Sequence, residues 1–76
     1  MPKLRKISGQ DCIKILCNKF EFKAVRQTGS HVVLRKETPG GSIGTVVPRH
    51  SELKIGTLKG LLELAKVQEE EFAKYQ

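Results

Sequence analysis

Hydrophobic residues recur at helical intervals near both ends of this 76-residue chain. Cys12, Leu16 and Phe20 lie four residues apart, which is the spacing of one face of an α-helix. Ser8 precedes this stripe and Asp11 follows three residues later, so Ser8 is predicted to cap a helix that ends near residue 19. A second stripe predicts a helix near the carboxyl terminus, with apolar residues at Leu58, Leu61, Leu62, Leu64 and Ala65.

Between these stripes the spacing shortens to two, which predicts β-strands at residues 20–27, 30–37 and 43–47. Thr28 and Gly29 are expected to form the first turn, because glycine tolerates a positive φ. The segment TPGGS at residues 38–42 is expected to be a loop, and Pro48 to end the third strand or confine it to an edge. Thr57 is the expected cap of the second helix.

The predicted order of elements is α-β-β-β-α, with residues 69–75 as a short third helix. Three antiparallel strands with helices on one face make a small α+β domain of two layers. We expect one domain spanning residues 1–76, because a chain of this length buries only about 60% of its unfolded surface. No apolar run is long enough to cross a membrane and no signal peptide is apparent, which favours a cytoplasmic protein.

The net charge of +6 is concentrated in the first three quarters of the chain. Residues 1–60 hold twelve Lys and Arg against four Asp and Glu, whereas residues 61–76 hold two against four. A basic excess of this kind favours a polyanionic partner, with nucleic acid first and an acidic protein second.

Metal and cofactor chemistry are not indicated by the sequence. Cys12 and Cys17 are five residues apart, which is neither a redox spacing nor half of a zinc site, so both are interpreted as core residues. A glycine-rich phosphate loop is also missing, and we expect no nucleotide cofactor and no metal.

His31 is the residue best suited to chemistry, because it follows the Gly29-Ser30 turn segment and begins an apolar run flanked by cations. An imidazole with an ordinary pKa of about 6.5 can transfer protons near neutral pH. The simpler alternative is a solvent-facing strand histidine without a function. His50 is the other histidine, and it is expected to be a residue of the approach to the second helix or a minor RNA contact.

Several segments, taken in order, resemble the HicA family of toxins, the YcfA-like mRNA interferases. They are RQTGSH at residues 26–31, VPRH at 47–50, ELKIGTL at 52–58 and, more weakly, EEF at 70–72. The α-β-β-β-α order is also that of the double-stranded-RNA-binding fold. The chain departs from the family at Lys66, where a glycine is usual, so the second helix is expected to run on or to end in a strained cap.

This resemblance implies a toxin of a type II toxin–antitoxin system, an endoribonuclease that cleaves mRNA and is inhibited by a HicB-type antitoxin. It also implies that His31, the histidine of the Gly-Ser-His string, is the catalytic residue. RNA can be cleaved without metal when a base takes the 2′ proton and cations neutralise the phosphate. Candidate RNA-binding residues are Arg26, Ser30, Arg35, Lys36 and Lys54, and for Ser30 we favour a role in the turn.

The strand register decides which of these residues meet His31. A two-residue turn at Thr28 and Gly29 would place His31 opposite Arg26, on the side of Arg35; a three-residue turn would place it opposite Gln27. The competing function is a non-catalytic RNA-binding module, which the same charge and fold would serve. A protein-interaction domain for an acidic partner is a third class.

Overall fold

The computed structural model describes residues 3–76, and every structural statement below concerns these residues. The chain forms α1 (Gly9–Lys19), β1 (Lys23–Thr28), β2 (His31–Thr38), β3 (Gly41–Pro48), α2 (Ile55–Ala65) and α3 (Glu69–Ala73). The three strands form one antiparallel sheet in the order β1-β2-β3. The predicted α+β fold with its α-β-β-β-α order is therefore confirmed. None of the helices in this part of the chain has the length and apolar character of a membrane span.

Helix α1 begins as the sequence predicts. The Ser8 side chain accepts a hydrogen bond from the Asp11 N–H at 3.0 Å, which satisfies one of the amides left free in the first turn. Gly9 lies against the segment that follows β3, and a Cβ at this position would come within 1.9 Å of the Pro48 carbonyl oxygen. The Gly9 N–H donates to the His50 carbonyl at 2.9 Å. Only glycine allows this close approach of helix and backbone.

One face of the sheet is packed against the helices, and this face is called the inner face. Its buried strand residues are Val32, Leu34, Thr45 and Val47. The helices contribute the rest of the core, with the buried residues Cys12, Leu16, Leu58, Leu61, Leu62 and Phe72. The buried Thr45 hydroxyl donates to the Leu61 carbonyl at 2.7 Å, so the polar group that enters the core is paired and joins β3 to α2.

Several boundaries differ from the prediction for local reasons. Strand β1 begins at Lys23 and not at residue 20, because Glu21 adopts a left-handed backbone (φ 64°) and the Phe22 N–H returns to the Leu16 carbonyl at 3.1 Å. Phe20 and Phe22 are thus residues of the C-terminal end of α1 and not of a strand.

The predicted loop at residues 38–42 is shorter than expected. Thr38 pairs with Gly41 and its hydroxyl donates to the Gly41 carbonyl, so only Pro39 and Gly40 lie outside the ladder. Helix α2 begins at Ile55 with Lys54 as its N-cap, and the prediction of Thr57 as the cap is wrong. The Leu58 N–H bonds to the Lys54 carbonyl at 2.9 Å, which already includes Thr57 in the first turn.

The carboxyl-terminal segment closes the core. Lys66 ends α2 in a left-handed conformation (φ 56°), which is the strained cap expected where a glycine is missing. Phe72 of α3 is fully buried and stacks on Phe20 with 6.3 Å between ring centroids. Tyr75 meets the same Phe20 ring edge-on at 5.7 Å, so this partly exposed ring packs at the surface end of the core.

Candidate active site

The turn before His31 is made by Gly29 and Ser30. Gly29 has a φ of 59° and Ser30 is not among the residues with positive φ, which is the pattern of a type II′ hairpin turn. Thr28 remains in β1 and pairs with His31. Both registers considered from the sequence are therefore wrong, because His31 lies opposite neither Arg26 nor Gln27. The glycine takes the first central position of the turn, where a positive φ is required.

His31 is the first residue of β2 and lies on the face of the sheet that the helices leave uncovered, called the outer face. Its cross-strand partners are Thr28 on β1 and Pro48 on β3. Successive side chains of a strand point to opposite faces, and the next residue, Val32, is buried against the helices. His31 itself is exposed, so its imidazole is open to a ligand that lies on this face.

Arg26 and Arg35 are on the same face as His31 despite the changed register. The pairing runs without interruption from Thr28 and His31 to Arg26 and Val33, so Arg26 lies opposite Val33, and the bulge between Arg26 and Ala24 shifts only the residues beyond it. Directly opposed residues share a face, and Val33 and Arg35 follow His31 at intervals of two. The Arg35 Nε is 3.2 Å from the Glu37 carboxylate, an exposed pair that leaves the terminal guanidinium nitrogens of Arg35 available for phosphate.

The other predicted RNA contacts are not brought together with His31. Lys36 lies on the inner side of β2 opposite Ile43, and its Nζ is 5.9 Å from the Phe22 ring centroid. Lys54 is exposed at the N-cap of α2 and is not a residue of the sheet. Lys36 therefore does not belong to the outer face with His31.

Ser30 holds the turn, as favoured from the sequence. Its carbonyl accepts the Arg49 N–H at 2.6 Å, which extends the β2–β3 pairing by one residue beyond Pro48. This bond and the bond from Gly9 to the His50 carbonyl fix the segment after β3 against the turn. The exposed His50 is therefore held at the same end of the sheet as His31. Sequence reasoning missed Arg49, whose position depends on this register.

The two thiols do not offer a second reactive site. Burial raises the pKa of Cys12 to about 12, and it raises the pKa of Cys17 against the opposing effect of a hydrogen bond from the Ala24 backbone. Both thiols are neutral near physiological pH and therefore poor nucleophiles. Cys12 is fully buried and Cys17 packs against the core, in agreement with their interpretation as core residues. In the described residues, no group of three or more His, Cys, Asp or Glu side chains is placed to hold a metal ion.

Comparison with known proteins identifies the family. The family model described as HicA toxin of bacterial toxin-antitoxin matches residues 9–67, from the first residue of α1 to just beyond the end of α2. The curated proteins and the solved structures that were compared gave no match. The matched region includes the whole sheet, the His31 turn and both long helices, so this chain belongs to the HicA family of toxins and is expected to have an antitoxin partner.

Proposed function

We propose that this chain is an mRNA-cleaving endoribonuclease in which His31 is the catalytic residue. The observation that carries the proposal is the position of His31, exposed beside a type II′ turn on the same uncovered face as Arg26 and Arg35. Membership in a toxin family and a net charge of +6 support a polyanionic substrate. A toxin that acts on mRNA would act in the cytoplasm.

The chemistry requires only groups that the outer face supplies. His31 takes the proton of the ribose 2′ hydroxyl, whose oxygen attacks the adjacent phosphorus; the bond from phosphorus to O5′ breaks, and the departing 5′ oxygen takes up a proton. The products are a 2′,3′-cyclic phosphate and a free 5′ hydroxyl. Arg26 and Arg35 contact the phosphate oxygens and stabilise the charge that develops on them. The nucleophile belongs to the substrate, so no metal-bound water is needed.

The proton donor for the 5′ oxygen is His50, water or His31 after it has accepted the 2′ proton. An RNA with sulfur in place of the scissile 5′ oxygen distinguishes these donors, because a thiolate leaves without protonation. If His50 is the donor, His50→Ala slows cleavage of ordinary RNA and leaves cleavage of the sulfur substrate unchanged. An equal effect on both substrates assigns His50 to RNA binding, and no effect on either leaves water or His31 as the donor.

A direct test uses the purified chain, a single-stranded RNA and EDTA. We expect the native protein to cleave the RNA, and His31→Ala to bind it with similar affinity without cleaving it. RNA that is bound by the native protein and remains intact would contradict the nuclease and support the alternative, a non-catalytic RNA-binding module of the double-stranded-RNA-binding type. Absence of salt-sensitive binding would contradict both and favour a protein-interaction domain.

The partner we propose is a HicB-type antitoxin with an acidic surface that covers the outer face. Charge supports this choice, because Lys23, Arg26 and Arg35 lie on that face. Expression of the native chain should arrest growth, and co-expression of the antitoxin or the change His31→Ala should relieve the arrest. A His31→Ala chain that remains as toxic as the native one would contradict the role of His31. Retained antitoxin binding by this variant is the control for its fold.

A further inference from the structure

A concave site lies on the opposite side of the sheet from His31, between helix α1 and the inner side of β1. This α1–β1 groove has a volume of about 220 Å³. Its floor is apolar and consists of Ile13, Ala24 and Val32. Its rim carries two amides, Gln10 and Gln27, and two cations, Lys14 and Arg49. Every residue of β1 is exposed, so the helices cover this edge strand incompletely.

The charge of the α1–β1 groove distinguishes it from other grooves of the described residues. No carboxylate is among its lining residues, whereas its rim has two cations. Three other grooves each include at least one carboxylate, and their acidic residues are Asp11 in one, Glu63 and Glu69 in another, and Glu21 and Glu37 in the last. The α1–β1 groove is thus suited to an anionic ligand.

The two amides add the capacity to recognise a base. The Gln27 Nε2 donates to the Gly29 carbonyl at 3.3 Å, and the Gln10 Oε1 accepts from the Arg49 guanidinium at 3.4 Å. These contacts orient both side chains and use one end of each amide. The Gln27 Oε1 and the Gln10 Nε2 are left as an acceptor and a donor, which is the pairing that the edge of a nucleobase presents. The apolar floor matches the face of a base.

The groove is also joined to the His31 turn by the backbone. Val32 of the floor is the residue after His31 and pairs with Gln27 of the rim. The Arg49 N–H is bonded to the Ser30 carbonyl at 2.6 Å. The groove and His31 therefore lie on the two sides of the same Gly29-Ser30 turn. A single strand of RNA that passed around this turn would have one nucleotide in the groove and a nearby phosphodiester at His31.

We propose that the α1–β1 groove binds one unpaired nucleobase of the RNA substrate, with its phosphate held by Lys14 and Arg49, and so determines the sequence preference of cleavage. The base is unpaired, because a base within a duplex cannot present its face and edge to such a groove. This inference rests on the proposed endoribonuclease function and adds to it a base-recognition site. An acidic segment of a protein partner is the competing occupant, but a carboxylate only accepts hydrogen bonds, so it would use the cations and the Gln10 Nε2 and leave the Gln27 Oε1 without a donor.

The first experiment measures sequence preference. Gln10→Ala and Gln27→Ala are compared with Gln68→Ala, an exposed glutamine outside the groove, by sequencing the ends produced from an RNA with randomised positions. Native protein and Gln68→Ala should prefer a particular base at one position near the cut. Each groove variant should reduce that preference by roughly twofold to tenfold, the effect of one lost hydrogen bond, through a lower kcat/KM on the preferred RNA. An unaltered preference in both groove variants would overturn the proposal.

The cations are tested with Lys14→Ala against Lys59→Ala, an exposed lysine of α2. Lys14→Ala should raise KM for single-stranded RNA severalfold and leave the base preference intact, since phosphate contacts position the strand without reading sequence. Lys59→Ala should leave KM unchanged. Equal effects of the two variants would mean that Lys14 acts only through overall charge, which contradicts the groove. All the substituted residues are exposed, and the folding of each variant is checked by its thermal unfolding.

A crosslinking experiment separates this proposal from the nuclease function. An oligonucleotide that lacks the scissile 2′ hydroxyl and carries 4-thiouridine is irradiated with the native chain, and the attached peptide is identified by mass spectrometry. Attachment to the α1 segment that contains Gln10 and Ile13 supports the groove even if the chain cleaves no RNA. RNA cleavage with attachment confined to other segments contradicts the groove and leaves the nuclease function standing. Groove variants that weaken only antitoxin binding would assign the site to the protein partner.

Discussion

The two faces of the sheet are made from neighbouring residues of the same strands and differ in almost every property. On β3, Val47 is fully buried under the helices whereas Val46 is 38% exposed on the outer face. On β2, His31 and Arg35 are exposed whereas Val32 and Leu34 are buried. Because successive side chains of a strand point to opposite faces, the residues that stabilise the fold lie on the inner face and the candidate catalytic residues lie on the outer face. Substitutions at adjacent positions should therefore separate function from folding.

The largest expected effect on activity comes from His31→Ala. Loss of a general base should reduce kcat for RNA cleavage by roughly 10²-fold to 10⁴-fold, while the urea midpoint of unfolding stays nearly unchanged, because His31 is exposed. Single-turnover cleavage and urea unfolding provide the two measurements. Thr28→Ala, which alters the residue paired with His31 on the same face, is the control for local perturbation. A His31→Ala protein that cleaves at the native rate would contradict the assignment of the catalytic residue to the outer face.

The next effect concerns folding and uses the same substitution at two adjacent positions. Val47→Ala removes two buried methyl groups and leaves a cavity, so it should lower the free energy of unfolding by about 1.5–3 kcal/mol. Val46→Ala should lower it by less than about 0.5 kcal/mol, as is usual at exposed positions. Urea titration followed by circular dichroism measures both. Similar losses for the two variants would mean that the outer face is also packed, and the distinction between the faces would fail.

A smaller effect separates Arg35 from Lys36, which are adjacent in sequence and face opposite sides of β2. Arg35→Gln should raise KM for single-stranded RNA about threefold to tenfold, because it removes a charge-assisted phosphate contact. The same substitution should reduce the slope of log affinity against log salt by about 0.7. Lys36→Gln removes an equal charge and serves as the control, with a KM close to the native value. A larger effect at Lys36 than at Arg35 would contradict the assignment of the phosphate contact to Arg35.

The smallest expected effect is a difference in alkylation rate between the two cysteines. It tests how well the helices cover the inner face of the sheet. Burial raises the pKa of Cys12 to about 12, so its thiol stays neutral in mildly alkaline solution and should be alkylated only when the protein unfolds. Cys17 is less buried and should react first. Alkylation at rising pH, followed by mass spectrometry of the two peptides, measures this order. Reaction of Cys12 at the rate of Cys17 in folded protein would show that the core between the helices and the inner face of the sheet opens readily.

The agreement between sequence and structure is best where a local signal acts alone. Ser8 caps α1 through the predicted bond to Asp11, and the leucine stripe of α2 is buried as its spacing indicates. The signal fails where two elements compete for the same residues. The alternation of Phe20 and Phe22 resembles a strand, but Phe20 is the C-cap of α1 and Glu21 has a left-handed backbone, so these residues form the end of the helix. Propensity cannot resolve such a conflict, because the packing of Phe20 against Phe72 depends on a distant helix.

The candidate site shows the same limit. Sequence reasoning identified His31, Arg26 and Arg35, but it placed the turn one residue too early and grouped Lys36 with them. Moving the turn by one residue shifts the pairing by two, which leaves Arg26 on the face of His31, whereas the bulge shifts it by one and so places Ala24 on the inner face and Lys23 on the outer face. Neither the bulge at Ala24 nor the Arg49 bond to Ser30 has a signal in the sequence. Both depend on how three strands align.

The sequence by itself determined the class of this protein: the order of its elements, its basic charge, its membership in the HicA family and the histidine that follows the hairpin turn. These are local or compositional properties, set by spacing, caps and turn residues. Only the tertiary structure decided which charged side chains share a face with His31, that Gly9 allows the segment after β3 to rest on α1, and that a carboxylate-free groove lies behind the turn. These three features depend on strand register and on contacts between residues far apart in the chain, which cannot be predicted from local spacing.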